Sequence, residues 1–80
     1  MAAQLTLNYD REGDILYLNV VAPYAEQESD EIADGVVARM NPGSGAVENL
    51  EILFFSSRFE QLRGAFALPV GATLTPPLAG

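Results

Sequence analysis

The sequence predicts an α+β domain: a small antiparallel sheet of four to five strands with one C-terminal helix packed on a face. Three observations predict it. Short runs of alternating or mostly apolar residues recur between residues 5 and 55, turn-forming clusters separate them, and helical spacing appears only after the last run.

Leu5, Leu7 and Tyr9 alternate with Thr6 and Asn8, the period of a strand with one buried face. Asp10-Arg11-Glu12-Gly13 reads as a turn in which Gly13 supplies positive φ. Asp14 to Val21 is the strongest strand: Leu16, Leu18 and Val20 face one way, Ile15, Tyr17 and Val21 the other, and Asn19 is its one strongly polar residue inside the run. With both faces apolar, it is expected to be central. A loop begins at Ala22-Pro23, a short strand is expected at Ser29–Ala33, and Asp34-Gly35 turns the chain into a return strand at Val36–Met40. Both positions of such a turn are expected at positive φ. Asn41-Pro42-Gly43-Ser44-Gly45 is a loop. Val47 to Phe55 resumes as a strand, with Leu50, Ile52 and Phe54 on one face and Glu51 on the other. Ser57-Arg58-Phe59-Glu60 then matches a capping box, and Phe59, Leu62 and Phe66 fall at helical spacing.

Residues 1–66 form a single domain in this reading, and 67–80 an apolar, proline-broken tail or arm. The tail has three alternatives: a disordered end, an arm on its own sheet, or an arm on a neighbouring subunit.

The composition excludes more than it assigns. A chain of 80 residues buries only about 60% of its unfolded surface or a little more, so its core is thin. With no cysteine and no histidine, it lacks disulfides, thiolate metal sites, a thiol nucleophile and the commonest general base. Association of copies is the remaining ordinary way to enlarge the core, and a homodimer is expected. The net charge of −7 lies in the N-terminal part: residues 1–34 hold eight acids against Arg11 alone. All four basic residues are arginines, too few for the cationic footprint that binds phosphate backbones or anionic membranes, so neither nucleic acid nor membrane is an expected partner. The first residues lack the basic and apolar regions of a secretory signal, and residues 64–80 contain three prolines, so a cytoplasmic location is expected.

Three blocks carry a family resemblance: Tyr9-Asp10-Arg11-Glu12-Gly13-Asp14-Ile15-Leu16-Tyr17-Leu18, Ser29-Asp30-Glu31-Ile32-Ala33-Asp34-Gly35-Val36-Val37, and Leu50-Glu51-Ile52-Leu53 with Ser56-Ser57-Arg58. In this order and spacing they resemble the bacterial family known as domain of unknown function 2283, over roughly residues 5–59. The resemblance implies an acidic turn where this chain has Asn41-Pro42-Gly43-Ser44-Gly45, and a glycine where it has Asn49. It implies no activity, catalytic residue or cofactor. Some members look like small proteins encoded beside toxin-like neighbours, which implies an antitoxin-like role toward a basic protein.

No catalytic constellation emerges. Ser56 and Ser57 have no histidine or lysine to activate them, and Gly43-Ser44-Gly45 fits neither phosphate-loop pattern. Two acidic groups are candidates for binding. Glu26, Glu28, Asp30 and Glu31 form either a solvated edge that resists aggregation or an electrostatic docking face for a basic protein. Asp10, Glu12 and Asp14 either close and solvate a turn or converge on a divalent cation or small ligand, with Tyr9 and Tyr17 nearby. The leading expectation is a non-catalytic interaction or self-associating module; the alternative is a ligand- or metal-binding domain using the Asp10–Asp14 turn.

Overall fold

A computed structural model describes residues 5–61, 67–71 and 76. Five strands, β1 (Thr6–Asp10), β2 (Ile15–Asn19), β3 (Glu28–Ala33), β4 (Val36–Met40) and β5 (Val47–Leu53), precede one helix, α1 (Phe55–Gln61). All strand pairs are antiparallel, in the order β1-β2-β5-β4-β3. The fold is α+β, as the alternation of short runs and turns predicts.

β2 is interior, as its two apolar faces require, but the middle of the sheet belongs to β5. Register explains the core. Leu18 lies opposite Leu7 on one side and Leu50 on the other, and Leu50 lies opposite Ala38. Because paired residues share a face, Leu7, Tyr9, Leu16, Leu18, Leu50, Ile52, Val36 and Ala38 line one side of the sheet. Among the described residues, Val36, Ala38, Leu50 and Ile52 are its buried apolar residues. Burial of Val36, Leu50 and Ile52 contributes about 1.5–3 kcal/mol each and that of Ala38 less, so the core among the described residues is thin. Leu68 and Val70 pack against this cluster with Leu18, Ile32 and Ala33. Within 67–71, Leu68 and Val70 thus rest against the chain's own sheet, while 67, 69 and 71 are exposed.

The opposite face is mixed. Tyr17 lies opposite Asn8 and Glu51, and Arg39 forms an ion pair with Glu51 at 3.2 Å without an aligned hydrogen bond.

The left-handed positions differ from those expected. Asp14, not Gly13, takes positive φ in the first turn (55°). Asp10 sets this up by accepting the amides of Glu12 (3.1 Å) and Gly13 (3.3 Å), which leaves the reversal to the next residue. In the second hairpin Gly35 alone is left-handed (72°), and a register shift between Glu31 and Ala33 absorbs the mismatch. Phe54 does not continue the β5 face: it leaves the strand at φ 55° and is 65% exposed.

The helix begins at Phe55, two residues before the capping box, so Ser57 lies inside it. The reason is Asp14, whose carboxylate caps the helix from another part of the chain. No residue of α1 is buried; it leans on the sheet through Phe55 against Tyr9, with centroids 5.9 Å apart. The expected continuation through Leu62 to Phe66 lies outside the described residues. Among the described residues, no helix is long and apolar enough to cross a membrane.

Candidate functional site

The turn end of the sheet gathers side chains from all three blocks that carry the family resemblance. The β1–β2 turn, the β3–β4 turn and the β5–α1 junction meet there because Ile15 lies opposite Leu53, while the Leu53 amide donates to the Gly35 carbonyl at 2.8 Å.

Asp14 is the hub. Its Oδ1 accepts the Tyr9 hydroxyl (2.5 Å) and the Ser56 amide (3.0 Å), and its Oδ2 accepts the Ser56 hydroxyl (2.8 Å). Its carbonyl accepts the Phe55 amide at 3.0 Å. These donors favour the charged carboxylate: the Tyr9 hydroxyl first, then Ser56, hold Asp14 below the usual carboxylate range. The same bond raises the Tyr9 hydroxyl above its ordinary value, since losing its proton would place two anions together.

Beside this hub, Arg58 donates to the Asp34 carbonyl and reaches the Asp34 carboxylate at 3.8 Å. Its guanidinium lies across Gly35, where an added Cβ would collide with it. Only glycine meets both demands there, close passage and a φ of 72°. Asp34, Phe54, Ser57, Arg58 and Gln61 line an open cleft of about 340 Å³. Two non-glycine residues at positive φ, Asp14 and Phe54, border the same corner. Asp visits this region more readily than most residues, whereas Phe stores strain there.

A second polar cluster occupies the other end. Glu48 accepts the Tyr24 hydroxyl (2.7 Å), Gln27 (3.1 Å) and Asn41 (3.2 Å). Asn49, 2% exposed, accepts from Gln27 (2.5 Å) and donates to the Asn19 side chain (2.8 Å) and the Val21 carbonyl (2.7 Å). Tyr24 first, then Gln27, hold Glu48 below its ordinary value, and Glu48 raises Tyr24. The asparagine standing where the resemblance implies a glycine thus ties the long 20–27 connection to the sheet.

The sequence-derived candidates divide. Asp10 spends its carboxylate on turn amides, Asp14 spends both oxygens on Tyr9 and Ser56, and Glu12 is exposed. Among the described residues, no three metal-capable side chains gather. Tyr17 points to the face opposite Tyr9, so the two tyrosines do not converge. Glu28, Asp30 and Glu31 lie along β3 at the sheet edge, with Glu26 in the preceding turn, and all four are exposed. Glu31 also accepts the Gly35 amide at 2.9 Å. The sequence marks neither Ser56 nor Asn49 as a binding residue, since nothing local to either points to its partner.

Residues 7–56 match the family described as protein of unknown function (DUF2283). The chain belongs to this family. The DUF2283 match contains Tyr9, Asp14, Gly35 and Ser56, and stops before Arg58. No curated protein and no solved structure matches the chain.

Proposed function

We propose that this DUF2283 domain is a non-catalytic, self-associating interaction module whose two sheet edges have different partners. The observation that carries this reading is the contrast between the edges. β3 presents Glu28, Asp30 and Glu31 and is interrupted by a register shift, two features that discourage strand pairing. β1 is exposed along its whole length and carries no charge before Asp10. The neutral edge suits a second copy; the acidic edge suits a basic protein, in line with an antitoxin-like role.

Light scattering over a concentration series tests the first half. A mass of twice 8.6 kDa is expected, and a monomeric mass throughout refutes it. For the second half, the combined variant Glu26→Gln, Glu28→Gln, Asp30→Asn, Glu31→Gln is compared with the unmodified chain on a basic protein isolated at low salt. Glutamine at 31 keeps an oxygen for the Gly35 amide. Association slows and dissociation changes little if the acidic edge steers the encounter; unchanged association rates reject that role.

A further inference from the structure

We propose that two copies of the chain pair antiparallel along β1 on a two-fold axis through Leu7, producing one continuous ten-stranded sheet. The inference rests on the self-association reading and deepens it, by naming the surface and the register.

The direction of the free backbone groups follows from bonds across the sheet. Val20 donates to the Glu48 carbonyl at 2.9 Å, so Val20 and Glu48 form a hydrogen-bonded pair of the β2–β5 register. Such pairs alternate along an antiparallel ladder. Leu16 and Leu18 therefore also turn their amides and carbonyls toward β5, and Ile15, Tyr17 and Asn19 turn theirs toward β1. The partners of those three are Asp10, Asn8 and Thr6. It follows that Leu5, Leu7 and Tyr9 aim their backbone groups outward. Among the described residues, β2 is the only strand paired with β1.

The same three residues carry the exposed apolar side chains: Leu7 is 64% exposed, Leu5 46% and Tyr9 42%. The strand is thus self-complementary. A two-fold axis through Leu7 sets Leu7 opposite its own copy and Leu5 opposite the other copy's Tyr9. Every outward amide and carbonyl from 5 to 9 then finds a partner, and all six apolar side chains fall on one face. Shifting by one residue would oppose outward groups with inward ones. Shifting the axis to Asn8 would strand Leu5 opposite Arg11 in the other copy's turn.

Charge points the same way. Two copies, each of charge −7, repel most where carboxylates cluster, and residues 5 to 9 carry none. A head-to-tail alternative, β1 on the β3 of a second copy, meets the register shift and would propagate as an open filament instead of closing.

The chain contains no cysteine, so engineered thiols report without background. Thr6→Cys and Asn8→Cys lie on the polar side of β1 and leave the apolar face intact. In the proposed register Thr6 faces the other copy's Asn8, a close pair suited to a disulfide. Mild oxidation of the two variants mixed should give a cross-linked heterodimer, and neither variant alone should cross-link. Cross-linking of Asn8→Cys with itself overturns the register. A light-scattering dimer with no cross-link in any mixture overturns the β1 surface while leaving self-association standing. A monomeric mass for the unmodified chain removes self-association itself. Leu7→Asp adds an independent check: it should remain folded by circular dichroism and be monomeric at concentrations where the unmodified chain is dimeric, and a dimeric Leu7→Asp overturns the proposal.

Discussion

The two ends of the sheet carry the same device in different surroundings. At the turn end a tyrosine hydroxyl donates to a carboxylate that also takes donors from the start of α1: Tyr9, Asp14, Ser56. At the opposite end Tyr24 donates to Glu48, which also takes Gln27 and Asn41. The first lies at the exposed surface; the second is partly buried and adjoins Asn49, which water cannot reach. Hydrogen bonds in water exchange one partner for another, so the exposed device mainly sets local geometry. The buried one holds groups that would otherwise lose their partners altogether, so it contributes more to stability.

The change with the largest expected effect removes both ends at once. β2 runs between them, with Asp14 just before it and Asn19 at its end. Leu18→Asp puts a carboxylate between Leu7 and Leu50 and against the small apolar cluster. Desolvating that charge costs several kcal/mol, comparable with the whole stability of a small domain, roughly 5 kcal/mol at the low end. The variant should lose its cooperative thermal transition by circular dichroism. A soluble, cooperatively melting Leu18→Asp would show that β2 does not hold the ends together.

Next comes a variant that breaks only the buried end. Asn49→Ala deletes bonds to Gln27, Asn19 and the Val21 carbonyl, leaving polar groups without partners. A loss of about 1–3 kcal/mol is expected, measured by urea denaturation, together with faster hydrogen exchange in residues 20–27. A loss within error of zero would place Asn49 on the same footing as the exposed cluster.

How much of this was legible beforehand follows from the range of each interaction. The five strands, the Asp34-Gly35 turn and the Asn41–Gly45 loop depend on neighbours in sequence and appear in the expected order, although the Asp14–Val21 run is a strand only over Ile15–Asn19 and the Val47–Phe55 run only over Val47–Leu53. Asp10 closing its own turn is equally local. The helix starts ahead of the Ser57 capping box because its cap comes from Asp14, 42 residues upstream of Ser56, and the fold does not use the local box. Phe54 misled in the same way: its apolar character continues the β5 pattern, yet the chain must turn at that point to bring Ser56 onto Asp14. Asn49 departs from the glycine that the resemblance implies, but its partners lie 22 to 30 residues away.

Acid titration provides the finest separation of the two ends. Asp14 and Glu48 are both held below their ordinary values in the folded chain. As pH falls, the unfolded chain therefore takes up protons on these two groups before the folded one does. Their contribution is complete above the ordinary carboxylate range, about pH 4 to 4.5, and is lost as pH drops through it toward the lowered folded values. Solvent screens the exposed Asp14 cluster more than the partly buried bonds of Glu48. Glu48→Gln should accordingly flatten the acid limb of a stability–pH profile more than Asp14→Asn, with both differences from the unmodified chain shrinking as pH falls below the ordinary carboxylate range. Equal flattening by the two would mean that burial does not distinguish the clusters. A larger effect at Asp14 would reverse their order and make the turn end, where the three sequence blocks meet, the stronger clamp on the fold.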